Sequence, residues 1–217
     1  MTYNYSGEKT VPGVCPAHWN TEAKTAMLTY KFNFLKTFQA AAVVLRDHDS
    51  RMDCVRLLKL LYLADRELLA ETGRTLTGDK AVALPRGPVL LTVYDLIKER
   101  GPDDEQLKWN AAIQRVKHED KNKDDDVILT ALVPIGRLTK AEESKLHEVC
   151  GRYKDTATPE LCHLTHDFKE WAEAFEKDEA STINWEIALE AMGLGDAIKE
   201  VHLVRKEHDL VEGAFRE

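Results

Sequence analysis

Cys162, His163 and His166 stand close together in the run "CHLTH". A thiol beside an imidazole could act as a nucleophile with its base, if a third group orients that base. With His147 and Cys150 added, the same residues could be read as metal ligands, because helical positions three or four apart share a face. Spacing carries neither reading. Adjacency on a short helix supplies no base-and-orienter arrangement, and sulfur-bearing zinc sites show tight paired spacing in loops, which this chain lacks. The plainer reading makes Cys150 and Cys162 small apolar core residues, with His166 bonded to backbone at a helix junction. The chain has no GxGxxG, GxxxxGK[ST] or GxSxG spacing either. No catalytic, metal or cofactor-binding residue is assigned, and the expectation is a protein that is not an enzyme and needs no cofactor.

A second group is Lys59, Asp65 and Arg66 in "RLLKLLYLADRELL". Asp65 falls where the stripe of Leu58, Leu61, Tyr62 and Leu68 calls for an apolar side chain. A buried carboxylate needs a partner, and Arg86 or Tyr94 could donate to it. Two readings stay open: a structural bond locking a loop to the helix, or part of a partner-binding pocket.

These residues must be positioned by helices. Phe34, Phe38, Ala41, Ala42 and Leu45 recur at helical spacing from Tyr30 to about His48. Ser50 and Asp53 resemble a capping box opening a helix from Arg51 to Thr72, which Gly73 ends. Arg56, Lys59, Arg66 and Glu67 mark its wetter side, and its broad apolar face predicts a central helix. Pro88 is placed in the first turn of the next helix. The runs "KWNAAIQRV" and "VILTALV" predict a hairpin over about 107–134 with a charged, solvated tip. Thr139 with Glu142, Thr158, Asp167 with Glu170, and Asn184 are read as caps of later helices, the last running from about Leu194 to Val204. The fold class expected is mainly α, a compact single-domain helical fold with one small β-hairpin insertion. Residues 1–25 read as an irregular arm, 26–207 as the helical domain and 208–217 as a tail.

Composition narrows the function. The 217 residues are 43% hydrophobic and 31% charged with a net charge of -8, an ordinary globular balance. An acidic chain suits a basic partner better than nucleic acid. No run approaches a membrane span, the first residues do not read as a signal peptide, and four scattered cysteines fit a reducing, cytoplasmic setting.

The stretch "LLKLLYLADRELLAETGRTLTGDKAVALPRGPVLLTVYDLIK" resembles the Panacea antitoxin domain family, which includes SocA-like antitoxins and phage-associated proteins. The matching residues are Lys59, Leu60, Leu61 and Tyr62, then Gly73, then Gly87, Pro88, Val89, Val93 and Tyr94. "LTHDFKEW", Leu164 to Trp171, is similar to the element that ends the family's core. The sequence departs at "ALPRGP", where Leu84, Pro85 and Arg86 replace the aromatic and small residues common in members. The resemblance implies an antitoxin that neutralises a cognate protein toxin, encoded by an adjacent gene, by direct binding; the alternative is a phage- or prophage-related regulatory or proteolytic adaptor module without its own toxin, with a cellular protease as a possible partner. Candidate partner-binding residues are Trp19, Lys59, Tyr62, Asp65, Arg86, Tyr94 and His166, because Trp, Tyr and Arg favour interface centres. The oligomeric state is left open.

Overall fold

The computed structural model describes residues 27–120, 122–178 and 180–214. Trp19 and the arm expected over 1–25 lie outside them. Helix α1 (Phe34–Arg46) is capped by Asn33, whose side chain accepts from the Lys36 N–H. Its Ala40, Ala41 and Ala42 are buried, and their small side chains let α1 lie close to its neighbours. Helix α2 (Cys54–Thr72) runs through the middle, with every residue from Arg56 to Ala64 buried together with Asp65. The central helix expected from its apolar width is therefore present. The wetter side is not as expected: Arg56 and Lys59 are buried and only Arg66 and Glu67 are partly exposed. Arg56 donates to the Tyr153 and Thr156 carbonyls at 2.5 Å, satisfying backbone acceptors beyond another helix's end.

Asp53 is the α2 cap, accepting from the Arg56 N–H at 2.8 Å. Ser50 has φ 62° and belongs to the preceding turn, so the cap falls three residues later than expected. Gly73, at φ 70°, ends the helix in the left-handed conformation.

Two small antiparallel sheets join the helices. Strand β1 (Arg51–Asp53), which sequence periodicity missed, pairs with β5 (Asp126–Leu129), and β5 pairs with β4 (Ile113–Val116). Met52, Val127 and Ile113 point inward. "KWN" belongs not to the hairpin but to α4 (Asp103–Asn110), which buries Trp109 against Phe38. The charged tip is not merely solvated. Asp124 pairs with Arg86 at 2.5 Å, Asp125 with Arg115 and Lys98, and Asp126 with Arg51 at 2.6 Å, so the tip clips three elements together.

The second sheet is a hairpin of β2 (Ala81–Leu84) and β3 (Gly87–Leu90), followed directly by α3 (Leu91–Ile97). Pro88 lies in a strand rather than a helix. It stands opposite Ala83, one step from the Leu84–Gly87 pair that closes the two-residue turn. At that alternating position the N–H and carbonyl face away from the partner strand, so the missing N–H breaks no ladder bond. Asp79 caps α3 from outside, accepting from the Thr92 and Val93 N–H groups at 3.1 Å.

Helices α5 (Lys140–Arg152), α6 (Thr158–His166), α7 (Lys169–Lys177) and α8 (Trp185–Ala191) follow. The Thr139–Glu142 capping box and the Asn184 cap are formed as read. Thr158 instead begins α6 and donates to Asp53 at 2.6 Å, while Glu160 accepts from the Ala157 N–H. Phe168, not Asp167, precedes α7, and Glu170 turns inward. A 3-10 turn, Gly195–Ala197, leads into α9 (Ile198–Ala214), which continues past the end placed at Val204.

Candidate partner-binding site

Lys59, Gly87, Pro88, Thr165 and His166 come from three separated motifs and meet at one junction between α2, β3 and α6. The Pro88 carbonyl, turned out of the hairpin, is taken by the Lys59 ammonium at 2.8 Å. A Cβ at Gly87 would fall 2.7 Å from Lys59 Nζ and 2.6 Å from Thr165 Oγ1. With φ 98° as well, only glycine fits. The Gly-Pro pair thus has a double reason: glycine permits the approach, and proline presents an outward carbonyl to a buried donor.

Lys59 is fully buried. Burial pushes its ammonium down to about 7; the nearby Cys162 opposes this and Arg86 adds to it. His166 is also held below its usual range, first by burial and then by the Lys59 and His163 charges. Its Nε2 is buried with no hydrogen-bond partner among the described residues. The ring stacks on Trp171 at 4.2 Å, and Trp171 stacks on Phe175 at 5.0 Å. The Trp171 indole donates to the Leu84 carbonyl at 3.0 Å, fixing this three-ring stack to the end of β2.

Beneath the stack, Glu170 is fully buried and accepts from Arg66 at 2.6 Å and Tyr62 at 3.1 Å. Arg66 also lies over the Phe168 ring at 4.1 Å, and Tyr62 stacks on Trp185 at 5.5 Å. Asp65, one turn from Tyr62, is fully buried and accepts from the Leu76 N–H (2.7 Å), the Thr77 N–H (2.9 Å) and the Thr77 hydroxyl. Neither Arg86 nor Tyr94 is its partner. Burial pushes its carboxyl up to about 7, against the pull of those three donors.

The seven candidates therefore separate. Arg86 is exposed with Pro85 at the tip of the β2–β3 turn, and half-buried His166 stands beside it. Lys59, Tyr62 and Asp65 are wholly buried; they can hold this surface from below but cannot touch a partner. Tyr94 lies on a neighbouring face with the Lys98 and Arg100 side chains over its ring, linked to the turn through the Asp124–Asp125 clip. Trp19 is outside the described residues. Sequence reasoning did not foresee that Glu170 and Trp171 hold this junction together. The signal was present: Glu170 and Ala174 are four apart on the inward face of α7.

The nucleophile and metal-ligand readings weighed for "CHLTH" and set aside find no matching geometry among the described residues. Cys162 is buried beside Arg86, and the His166 ring is engaged by Trp171. Cys150 is buried, and burial pushes its thiol up to about 12, which suits a core residue and not a nucleophile. Among the described residues no group of three His, Cys, Asp or Glu side chains could hold a metal ion, and no helix is long and apolar enough to cross a membrane.

The protein is mainly helical, with three sequence motifs locked around a buried lysine and a short turn held out beside an aromatic stack. The chain belongs to the antitoxin SocA-like, Panacea domain family, whose family model matches residues 57–172. That range opens in α2 and closes at Trp171 and Ala172, enclosing the whole junction. Membership supports an antitoxin-type role in general and points to a toxin as the kind of partner. No curated protein and no solved structure matches the chain.

Proposed function

We propose that this protein neutralises a cognate protein toxin by binding it directly through the β2–β3 turn and the His166–Trp171–Phe175 stack. The observation that carries the reading is the convergence of the three family motifs on Lys59, directly beneath exposed Pro85 and Arg86. A turn fixed from below by a buried ammonium and from the side by an indole presents its two tip residues with little freedom to lose, and preorganisation of this kind favours tight binding. Arginine and partly exposed aromatic rings are the side chains that dominate protein interfaces. Arg86 and His166 make the contacts; Lys59, Tyr62 and Asp65 support them. The net charge of -8 favours a basic toxin and would speed their encounter.

Co-expression tests this. Each gene adjacent to this one is expressed alone and together with it. The expected result is one neighbour that arrests growth alone, is tolerated with this protein, and co-purifies with it as a stable complex. Rescue by no neighbour, with no co-purifying protein, would remove the reading.

A further inference from the structure

A cleft of about 580 Å³ opens where the chain preceding α1 crosses the Gly73–Lys80 loop. It shares no lining residue with the turn or its aromatic stack. Its size falls within the range of small-molecule sites, about 300–1,000 Å³. Its walls are prearranged: the Tyr30 hydroxyl donates to the Gly73 carbonyl at 2.8 Å, and the Asn33 N–H to the Thr77 carbonyl at 2.9 Å. Gly78 lies so close under the crossing segment that a Cβ would fall 2.0 Å from the Lys31 carbonyl oxygen.

The lining inverts the charge of the protein. The chain has 38 acidic residues against 30 Lys and Arg, yet among the described residues this cleft sets Lys31, Lys36 and Arg74 against one carboxylate, Glu142. Glu142 is already committed, to the Thr139 N–H at 2.7 Å and to Lys36 at 2.5 Å. Lys31 and Arg74 are exposed at the rim. The floor is apolar, with Phe34, Leu68 and Leu76 buried. The first turns of α1 and α5 also line it, through Leu35 and Ala141, and first-turn N–H groups lack intrahelical acceptors and add positive potential. Cations at the rim over an apolar floor fit one ligand class, a small organic anion whose charged head meets Lys31 and Arg74 while its body lies on Leu68 and Leu76.

We propose that this cleft is a binding site for a small organic anion, of which an organic phosphate is the representative tested. The probe is adenosine monophosphate, with adenosine as the uncharged control, titrated calorimetrically into the full chain at low and high salt. The expected result is saturable binding of the phosphate that weakens with added salt, with adenosine binding far more weakly. The Lys31→Ala, Arg74→Ala double variant should weaken it by about tenfold or more, as befits the loss of charge-assisted contacts. Both residues are exposed, so the melting temperature without probe should match the parent. Absence of binding, equal binding of adenosine, or full retention in a folded double variant would overturn the proposal. None of these outcomes bears on toxin binding, which uses other residues.

Discussion

Replacing Asp65 with alanine should destabilise the protein by about 3 kcal/mol, read as a lower midpoint in urea unfolding. The substitution leaves two backbone N–H groups, of Leu76 and Thr77, and the Thr77 hydroxyl without their acceptor. Leu76 is 3% and Thr77 0% exposed, so water cannot replace it. Each buried donor left unpaired costs about 1–3 kcal/mol, partly offset by removal of a desolvated carboxyl. Asp65→Asn keeps an acceptor in place and should cost about 1 kcal/mol or less at neutral pH. The pair also predicts a pH dependence. Burial raises the Asp65 carboxyl from its ordinary 3.8 to about 7 in the folded protein. The folded state then holds that proton more tightly than the unfolded chain, so ionisation works against folding. Relative to Asp65→Asn, the parent should lose stability as pH rises from about 4 to 7, at up to about 1.4 kcal/mol per pH unit, and lose no more above that. A difference between the two proteins that does not change with pH would show that Asp65 is ionised throughout.

The second large effect is expected at Glu170. Glu170→Ala removes a fully buried carboxylate from Arg66, whose side chain is only 14% exposed, and from the Tyr62 hydroxyl. Breaking one side of a buried ion pair strands the other charge and costs about 3–5 kcal/mol. Glu170→Gln preserves an acceptor for Tyr62 while losing the charge, and should fall between alanine and the parent. Because α7 carries Trp171 and Phe175, the alanine variant should also loosen the aromatic stack, visible as a change in near-ultraviolet circular dichroism. A loss below about 1 kcal/mol for Glu170→Ala would mean that Arg66 finds water instead, and that α7 is held by packing alone.

Most of the helices are readable because they are written in local signals; α4, whose cap Pro102 offers no side-chain bond and whose "KWN" reads as strand, is the exception. Thr139, Asn184 and Gly73 act through contacts within a turn of the chain, and the apolar width of α2 follows directly from its being covered on all sides. What sequence could not show was pairing across distance. Pro88 fits a helix start and an outward-facing strand position equally well, and only the turn two residues before it decides. Asp65 was correctly marked as needing a partner, but backbone N–H groups carry no sequence signature, so Leu76 and Thr77 could not be picked over Arg86 and Tyr94. The three aspartates of "KDDD" resemble a solvated run because their cations, Arg86, Arg115 and Arg51, are supplied from elsewhere in the chain. Lys59 looked like a surface residue one step off the apolar stripe. Its burial depends on the unpaired carbonyl of a strand that periodicity did not reveal.

Within the junction, "ALPRGP" divides into two functions. Gly87 and Pro88 satisfy internal requirements that leave no room for change. Pro85 and Arg86 are the exposed part. The direct test is the dissociation constant of the purified toxin complex for the parent and for Arg86→Glu. Arg86 is exposed and its pairing with Asp124 contributes little to folding, so the variant should melt with the parent. Roughly thirtyfold weaker binding or more is predicted, the loss typical of a central interface residue. An unchanged dissociation constant would place the toxin on another face and contradict this account.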